Sequence, residues 1–354
     1  MVYLTDCLGG LVRRLLLAVV SLVLAALIPV SSVGAAWHRS TTTTVKAPDK
    51  IIGMDAALLG EPLATQEAQL ADMKANLHIT SIRVSLNWEY VQYNGPGTYD
   101  WSLYDQLGQA IAAEGMTPLV IIQGTASWAS SSGAINAQPD PTQFAAFVSA
   151  VVQRYGAQLY EIWNEQNNTA FWSTPNAAVY TTLLKDSYQA IKAAAPSSTV
   201  VSGGLAPVAG NGNVAPVPFL QQMYADGAKP YMDAVGYHPY SFPALPNTYE
   251  SWSGWSNMAA TNPSIRSVMV ANGDSAKKVW ITEVGYPSNV TSNTGINGTT
   301  AESDELTQVN AFANANSWVG PVYWYAYQDD SSGPFGVETS TGAHKAAYAT
   351  MANL

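Results

Sequence analysis

The sequence predicts an α/β fold, because apolar β-branched segments alternate with amphipathic or Ala-rich segments from about residue 50 onward. Strands that alternate with helices form right-handed crossover units and a parallel sheet. Eight such strand–helix pairs fit into about 300 residues, which favours a (β/α)8 TIM barrel. An open doubly wound sheet is disfavoured, since the first strand leads into Gly53-Met54-Asp55 without the Gly-rich phosphate turn of that class.

Each predicted strand is a short run dominated by Val, Ile, Leu and aromatic residues, as expected for a parallel sheet that is covered on both faces. Polar or Gly-containing segments bound the runs. The predicted strands are Ile51–Asp55, Ser81–Asn87, Pro118–Gln123, Leu159–Asn164, Thr199–Gly203, Ala234–His238, Val279–Glu283 and Val322–Tyr327.

The segments between these strands show helical patterns. No linker divides them, so residues 50–354 are predicted to form a single catalytic domain. Long loops follow several strands, and loops on one rim of a barrel usually contact substrate. The predicted helices are Gln66–Leu77, Ser102–Glu114, Pro141–Tyr155, Ala178–Ala194, Val217–Asp226, Ile265–Asn272, Glu305–Ser317 and His344–Met351, and the loops are Asn167–Asn176, Tyr240–Trp255, Val284–Thr300 and Gln328–Glu338.

Residues 1–36 are predicted to be a secretory signal peptide. Arg13-Arg14 precede the apolar run Leu15–Val30, and small residues follow it, which is the pattern of such a peptide. The run is shorter than the ~20 residues that span a bilayer comfortably, and an uncleaved anchor is the alternative. The twin arginines also fit a Tat-type signal. With residues 37–49 as a flexible leader, the sequence predicts a secreted protein without a stable membrane partner after cleavage.

The composition excludes several classes of function. Hydrophobic residues make up 47% of the chain, enough for a large core, and the formal net charge is −10. Phosphate binding needs clustered Lys and Arg, so nucleic acid is excluded as a partner. The only cysteine, Cys7, lies in the predicted signal peptide. The mature protein therefore has no thiol for a disulfide, a nucleophile or a metal site.

Two glutamates each end an apolar strand-like run: Glu165 after Trp163-Asn164, and Glu283 after Trp280–Thr282. In a barrel of parallel strands, active sites are built at the carboxyl ends of the strands. Cleavage of a glycosidic bond needs two carboxyl groups, one as acid and one as nucleophile or base. An acid must hold a proton near neutral pH, which apolar neighbours such as Trp163 favour. For Glu165 alone, an ion pair with a surface cation is the alternative.

Arg83 is a cation inside the apolar stretch Ile79–Leu86, where a charge is costly unless it meets an anion. One interpretation pairs it with any acidic residue, for instance Asp55. The sharper one places it beside a catalytic carboxylate, because a nucleophile such as Glu283 needs a cation or hydrogen-bond donors to stay ionised.

Trp163-Asn164-Glu165 and Thr282-Glu283 resemble the acid/base and nucleophile signatures of clan A glycoside hydrolases. Those are retaining enzymes on a (β/α)8 barrel, with the two glutamates after strands 4 and 7. The resemblance covers the chain from about residue 50. It is specific because several motifs occur in the right order on matching strands. Further matching pieces are Arg83 on strand 2, His238-Pro239-Tyr240 after strand 6, Trp324 on strand 8, and Gly97–Trp101 with Tyr104-Asp105, which resemble families 39 and 5.

By this resemblance, Tyr240 hydrogen-bonds and orients Glu283, and Asn164 binds the sugar 2-hydroxyl. Trp324 forms the floor under the sugar ring, and His238 lines the same pocket. A capped loop residue is the alternative for His238, and barrel filler is the alternative for Trp324. The sequence departs from the family pattern after the acid, where Gln166 replaces the usual proline.

Aromatic side chains are further candidates for sugar binding, because they stack on the apolar face of a sugar ring. Most single aromatics belong to a core, so only some loop tryptophans are expected to touch substrate. The candidates are Trp88, Trp128, Trp172, Trp252 and Trp255. No metal or cofactor is expected, since none of the four histidines are spaced as a ligand pair.

The predicted function is therefore that of a secreted, monomeric retaining glycoside hydrolase acting on a β-linked polysaccharide or oligosaccharide. Retaining geometry predicts carboxyl groups about 5–5.5 Å apart, against about 6.5–9.5 Å for inverting enzymes. The alternatives are a transglycosylase that uses the same residues and a carbohydrate-binding protein on a hydrolase scaffold. Sugar, linkage and endo or exo action depend on loop shapes that the sequence leaves open.

Overall fold

The computed structural model describes residues 53–354 except Ala56 and Ala157. The predicted signal peptide, the leader and the first two residues of the predicted strand Ile51–Asp55 lie outside the described residues. Within the described part of the chain, no helix is long and apolar enough to cross a membrane.

All eight predicted strands are confirmed, with boundaries shifted by no more than a few residues. They pair side by side in one parallel sheet of order β5-β4-β3-β2-β1-β8-β7-β6. The two outer strands meet through the single parallel bridges Val201–Ala234 and Leu205–Tyr237, so the sheet is a nearly closed barrel. The strands are β1 (Gly53–Asp55), β2 (Ser81–Asn87), β3 (Thr117–Gln123), β4 (Leu159–Ile162), β5 (Thr199–Ser202), β6 (Val235–Tyr237), β7 (Val279–Val284) and β8 (Val319–Tyr325).

Helices connect the strands and surround the barrel. The eight predicted helices are present, and two short ones, α2 and α7, were missed. Each of these begins at a side-chain cap: Asn87 Oδ1 accepts from the backbone N–H of Glu89, and Ser253 Oγ from that of Ser256. The helices are α1 (Leu63–Ala75), α2 (Trp88–Gln92), α3 (Ser102–Ala113), α4 (Pro141–Tyr155), α5 (Ala177–Ala194), α6 (Pro216–Ala225), α7 (Gly254–Ala259), α8 (Ile265–Ala271), α9 (Gly298–Ala315) and α10 (Ala346–Ala352), with 3-10 turns at Ser127–Ala129 and Lys229–Tyr231.

Alternate residues of each strand face the inside of the barrel, as the two-residue period of a strand requires. One small apolar layer fills the interior, and a much larger core lies between the barrel and the helices. The interior layer consists of Leu119, Leu159, Val201, Ala234, Trp280 and Tyr323. Towards the carboxyl ends of the strands, this apolar filling gives way to charged side chains, which form the floor of a cleft.

A register break between β7 and β8 shapes that cleft. The pairing shifts between Ile281 and Val284, so β7 is irregular where it reaches the mouth. In consequence, the consecutive side chains of Thr282 and Glu283 both make hydrogen bonds at the mouth. Such irregularities are common next to active sites, where they redirect a side chain.

Candidate active site

The structure brings Glu165 and Glu283 together at the barrel mouth. A carboxylate oxygen of each and a ring nitrogen of His238 all lie within 4.8 Å of one another. His238 Nδ1 is 3.0 Å from Glu165 Oε1 and 3.7 Å from Glu283 Oε2. The nearest carboxylate oxygens, within 4.8 Å of each other, thus lie no farther apart than retaining geometry needs and well below the inverting range of about 6.5–9.5 Å.

The backbone around Glu165 is held in an unusual conformation. Trp163 has φ +70° and Glu165 has φ +46°, both in the left-handed region that non-glycine residues rarely adopt. The neighbouring strand holds this turn in place, because the N–H of Glu165 donates to the carbonyl of Gly204 at 3.0 Å. Gln166, buried where the family pattern has proline, donates from Nε2 to the carbonyl of Gly203 at 3.0 Å. Strain of this kind clusters at functional sites.

Arg83 connects the acidic groups of the mouth. Nη1 donates to Asp55 at 2.6 Å and also to Glu283, while Nε donates to Glu161 at 2.9 Å. Nη2 donates to Asn164 Oδ1 at 2.8 Å, which fixes the orientation of that amide. Both interpretations of Arg83 therefore apply, since it pairs with Asp55 and also with Glu283. Glu161 was missed as a partner in the sequence, although its inward position on β4 and its burial required a cation.

The surroundings of Glu283 favour its ionised form. Burial raises the pKa of this carboxyl, but the charges of His238 and Arg83 and the hydrogen bonds from Arg83 and Tyr240 outweigh burial and leave the pKa below its ordinary value. Tyr240 Oη donates to Glu283 Oε2 at 3.2 Å, as the family resemblance implied. Asp55 differs: burial raises its pKa to about 6 in spite of the Arg83 charge.

The hydrogen bonds of His238 place one proton next to Glu165. The hydroxyl of Thr282 donates to Glu161 Oε1 at 2.9 Å, so it can only accept from His238 Nε2, which is 3.0 Å away. Nε2 therefore carries a hydrogen. The 3.0 Å contact between His238 Nδ1 and Glu165 Oε1 then needs one further proton, held on the imidazole or on the carboxyl.

His238 is also charged more readily than an ordinary histidine. Burial lowers its pKa, but the charge of Glu283 and the hydrogen bond to Glu165 outweigh burial and leave the pKa above the ordinary value. The ring reaches its position because Gly204 has no side chain: a Cβ there would lie 2.1 Å from His238 Nε2. The alternative of a capped loop residue does not describe this histidine.

Four of the six tryptophans expected at the cleft belong to the protein interior, which corrects the expectation that they contact substrate. They are buried members of the core between barrel and helices: Trp88, Trp172, Trp255 and Trp324. Trp324 has 0% exposure because β8 turns it outward, whereas its neighbours Tyr323 and Tyr325 face the barrel. Trp128 is half-buried, packs edge-on against Trp88 and donates from Nε1 to a backbone carbonyl.

Other aromatic side chains line the cleft instead. Tyr325 pairs in register with Asp55, and its hydroxyl donates to Asp330 at 3.3 Å. A cavity of about 340 Å³ opens beside Glu165, and Trp252, a candidate from the sequence, lies in its wall. Its lining residues are Glu165, Ala206, Pro207, Val208, Tyr240, Ser241, Phe242, Trp252 and Phe335. Because residues two apart on a strand face the same side, the sequence could have placed Tyr325 in the cleft if the inward orientation of Tyr323 had been known.

Glu165, His238 and Glu283 have the ligand types and spacing of a metal site. Arg83 Nη1, however, donates to Glu283. A guanidinium in that position supplies the positive charge that a cation would otherwise bring, and it would repel one.

No protein-family model matches the chain, and no curated protein matches it. Solved structures do. A family 39 glycoside hydrolase from Bacteroides cellulosilyticus WH2 superposes with a TM-score of 0.65 at 21% identity, over 87% of this chain and 63% of that one. The present chain therefore spans less than two thirds of that protein.

Two further solved structures extend the likeness. A family 5 subfamily 18 protein from Streptomyces cattleya, solved in complex with Manβ1-4GlcNAc, gives a TM-score of 0.63 at 16% identity over 86% of this chain and 79% of that one. A family 128 endo-β-1,3-glucanase from Sorangium cellulosum gives 0.53 at 15% identity over 80% and 93%. At these identities the likeness shows a shared fold.

Proposed function

We propose that this protein is a retaining glycoside hydrolase of the clan A type that cleaves β-linked polysaccharide or oligosaccharide. The observation that carries the proposal is the spacing of Glu165 and Glu283, whose nearest carboxylate oxygens lie within 4.8 Å at the mouth of a parallel barrel. That spacing suits direct attack by one carboxylate on a sugar whose leaving group the other one protonates.

In the first step, Glu283 attacks the anomeric carbon while Glu165 gives its proton to the glycosidic oxygen. The bond between that carbon and oxygen breaks, the leaving group departs as an alcohol, and an ester bond joins the sugar to Glu283. The ionised state of Glu283 supports its role as nucleophile, because Arg83 and Tyr240 both donate to it.

In the second step, Glu165, now a carboxylate, takes a proton from water as the water oxygen attacks the anomeric carbon. The ester bond breaks, Glu283 leaves as a carboxylate, and the sugar is released with its original configuration. The proton between Glu165 and His238 supports the acid role of Glu165, since one proton is held there before the substrate arrives. Asn168 Nδ2, 2.8 Å from Glu165 Oε2, orients the second carboxylate oxygen.

The fold and the N-terminal sequence support the rest of the proposal. Neighbours with the same fold include an endo-β-1,3-glucanase and a protein bound to a β1-4-linked disaccharide, which favours a β-linked substrate. The pattern of a signal peptide in residues 1–36 favours secretion or a place at the cell envelope. The low proportion of charged residues, 11%, suits an extracellular surface.

The test is a hydrolysis screen of residues 37–354 on β-glucans, xylans, mannans, galactans, arabinans and aryl β-glycosides. Glu165→Gln and Glu283→Gln proteins run beside the wild type, with Glu114→Gln, an acidic residue at the end of α3, as a matched control. We expect each active-site variant to lose about a thousandfold or more in kcat/KM, and the control to stay within twofold. Product NMR should show retention of configuration.

Two outcomes would contradict the proposal. Inversion at the anomeric carbon would exclude the double displacement. Tight glycan binding without turnover, unchanged by Glu283→Gln in calorimetry, would instead identify a carbohydrate-binding protein on this scaffold.

A further inference from the structure

The cleft has two sides of different chemistry that meet at the two glutamates. Charged and hydrogen-bonding groups surround Glu283, with Arg83 and Asp55 among them. The cavity beside Glu165 is lined mainly by apolar and aromatic side chains, and neither Glu283 nor Arg83 is among the described residues that line it. A substrate lying across the mouth would therefore meet a polar wall at one end and an aromatic wall at the other.

Packing among its own members holds the aromatic wall in place. The ring of Phe242 lies edge-on to those of Tyr240 and Phe335, with centroids 6.2 and 5.7 Å away. Tyr240 and Phe335 also contact each other at 6.1 Å. Despite this packing, Phe242 remains 37% exposed, and Trp252, which lines the same cavity, is 50% exposed, so both present ring surface to it. Aromatic surface that is held in place, as that of Phe242 is, binds a ring at little cost in conformational entropy.

Two polar side chains of this wall are already engaged. Ser241 Oγ donates to the carbonyl of Pro239 and accepts from the N–H of Trp255. The Tyr240 hydroxyl donates to Glu283. Glu165 and the exposed indole of Trp252 are then the side chains of the lining that offer a polar group to a bound molecule. Most of the contact surface at this end is apolar.

We propose that this cavity, walled by Val208, Phe242, Trp252 and Phe335, is the leaving-group subsite and that it binds a ring with an apolar face. The inference rests on the proposed function. A general acid contacts the glycosidic oxygen, so the group attached to that oxygen must lie on the side of Glu165. The ring is a second sugar of a saccharide chain or the ring of a phenol, since both offer an apolar face to stack on tryptophan.

The same cavity has a second use in the reaction. Once the leaving group has departed, an acceptor sugar bound there presents its hydroxyl to Glu165, which takes the proton as the oxygen attacks the anomeric carbon. The ester to Glu283 breaks and a new glycosidic bond forms. The aromatic wall therefore favours transfer to sugars at high substrate concentration, which connects the transglycosylase alternative to a named set of residues.

The test uses Trp252→Ala and Phe242→Ala, with Tyr249→Ala as the control. Tyr249 is 64% exposed in the same loop and does not line the cavity. For the sugar that the screen identifies, each enzyme is given the oligosaccharide, the 4-nitrophenyl glycoside and the methyl glycoside. We expect Trp252→Ala to lower kcat/KM about tenfold for substrates with a ring as leaving group, and less than twofold for the methyl glycoside. A larger loss on the oligosaccharide identifies a sugar subsite, and a larger loss on the aryl glycoside identifies a phenol subsite.

The rate at which water releases the glycosyl-enzyme provides a second measurement, because the leaving group is absent from that step. It should not change in Trp252→Ala, while transfer to added disaccharide should fall. Equal losses in Trp252→Ala and Tyr249→Ala, or a slower release by water, would overturn the inference.

A binding measurement separates this inference from the proposed function. In protein labelled with 5-fluorotryptophan, the Trp252 signal, assigned with Trp252→Phe, is followed by 19F NMR during titration with cellobiose, xylobiose, mannobiose and phenyl β-glucoside. A shift without any hydrolysis means that the ring subsite exists and the proposed hydrolysis fails. If none of the probes shifts the Trp252 signal, the subsite assignment is wrong, whether or not hydrolysis is observed.

Discussion

The carboxylates at the barrel mouth and those on α9 are both buried, but they differ in what donates hydrogen bonds to them. We call Asp55, Arg83, Glu161 and Glu283 the mouth cluster, and Glu302, Glu305, Asp329 and Lys345 the α9 cluster. Glu161 in the first and both glutamates of the second have 0% exposure. The difference therefore arises from hydrogen-bond partners rather than from depth.

In the mouth cluster, a planar guanidinium distributes its donors. Arg83 reaches three carboxylates with Nε and Nη1, and Glu161 Oε1 receives two more hydrogen bonds, from the Gly204 N–H and the Thr282 hydroxyl, each at 2.9 Å. The guanidinium of arginine carries five N–H donors in one plane with fixed directions, which suits this arrangement and which a lysine could not reproduce. Together with His238 and Tyr240, this guanidinium holds the pKa of Glu283 below its ordinary value, as a nucleophile requires.

The α9 cluster has fewer donors. Lys345 Nζ lies 3.2 Å from Glu302 and 2.9 Å from Asp329, and Ser288 Oγ and the carbonyl of Pro334 are also within reach, so four acceptors compete for three N–H groups. One buried oxygen of Glu302 and one of Glu305 have no hydrogen-bond partner among the described residues. Burial accordingly raises the pKa of Glu302 to about 8 and that of Glu305 well above its ordinary range.

The two clusters show that burial alone does not decide the charge of a carboxylate. The charges and donors around Glu283 hold its pKa below the ordinary value, whereas burial raises the pKa of Glu302 and Glu305 on α9. The charged form of Glu283 is thus favoured where the proposed chemistry uses it. Behind α9, neutral carboxyls are the less costly state, because an unpaired buried charge is the more expensive alternative.

The largest effect should come from removing the central cation of each cluster. Arg83→Met leaves three carboxylates at the mouth without their common partner, and we expect the free energy of unfolding at pH 7 to fall by about 3–5 kcal/mol. Lys345→Met should cost less than half as much, because Glu302, with a pKa of about 8, is already largely protonated at pH 7 and leaves no buried charge behind. Urea unfolding followed by circular dichroism measures both.

The Arg83→Lys protein is the matched control for charge. A lysine restores the charge but not the fork, so it should recover only part of the lost stability. If Arg83→Met and Lys345→Met lower the free energy of unfolding equally, the two clusters depend on their central cations to the same extent and do not differ as described.

The sequence was sufficient to predict the strands and the mouth cluster in outline. Glu165 and Glu283 were identified because an apolar run that ends in a carboxylate places that carboxylate at a strand end. Arg83 stood out because it is a cation inside an apolar run. These patterns involve residues that are close in the sequence, so they can be recognised without knowledge of the fold.

Two features could not be predicted in the same way: which side chains of β8 point into the barrel, and which side chains of α9 are buried. Val322–Tyr327 contains three adjacent aromatics, and only the contact of Tyr323 with Ser81, across 242 positions, decides that Trp324 faces outward. The loop was expected to reach Thr300 and the helix to begin at Glu305, whereas Asn297 caps α9 and starts it at Gly298. Glu305 then becomes buried, through contacts such as that with Trp255, 50 positions away.

The second prediction uses the titration of Glu302. Its pKa is about 8 in the folded protein against 4.5 for the ordinary group, so the folded state binds more protons between these values. Glu302 therefore stabilises the fold fully below pH 4.5, and its contribution is lost as the pH rises towards 8, no more steeply than about 1.4 kcal/mol per pH unit.

Urea unfolding of the wild type and Glu302→Gln at half-unit steps from pH 4.5 to 9 isolates this group. The difference in unfolding free energy, wild type minus variant, should decline with rising pH and level off above pH 8. A difference that is flat, or that grows with pH, would indicate that Glu302 is ionised beside Lys345 throughout, as Glu283 is beside Arg83.

The smallest effect is expected for Glu305→Gln. The amide has nearly the shape of the neutral acid, and the variant no longer has to bind a proton on folding at pH 7, which favours it. Against that, the new N–H group is buried without an acceptor, which costs about 1–3 kcal/mol. The two terms oppose each other, so the free energy of unfolding at pH 7 should change by no more than about 1 kcal/mol.

Glu161→Gln is the matched substitution at the mouth, and it separates the two explanations of a buried carboxylate. Glu161 is equally buried, but its two oxygens accept from Arg83, Gly204 and Thr282. An amide there loses the charge that pairs with Arg83, and one of its N–H groups must face a donor. We expect this variant to lose several times more stability than Glu305→Gln in the same urea titration. If the two lose the same amount, burial rather than the supply of donors governs these carboxylates, and the distinction between the clusters fails.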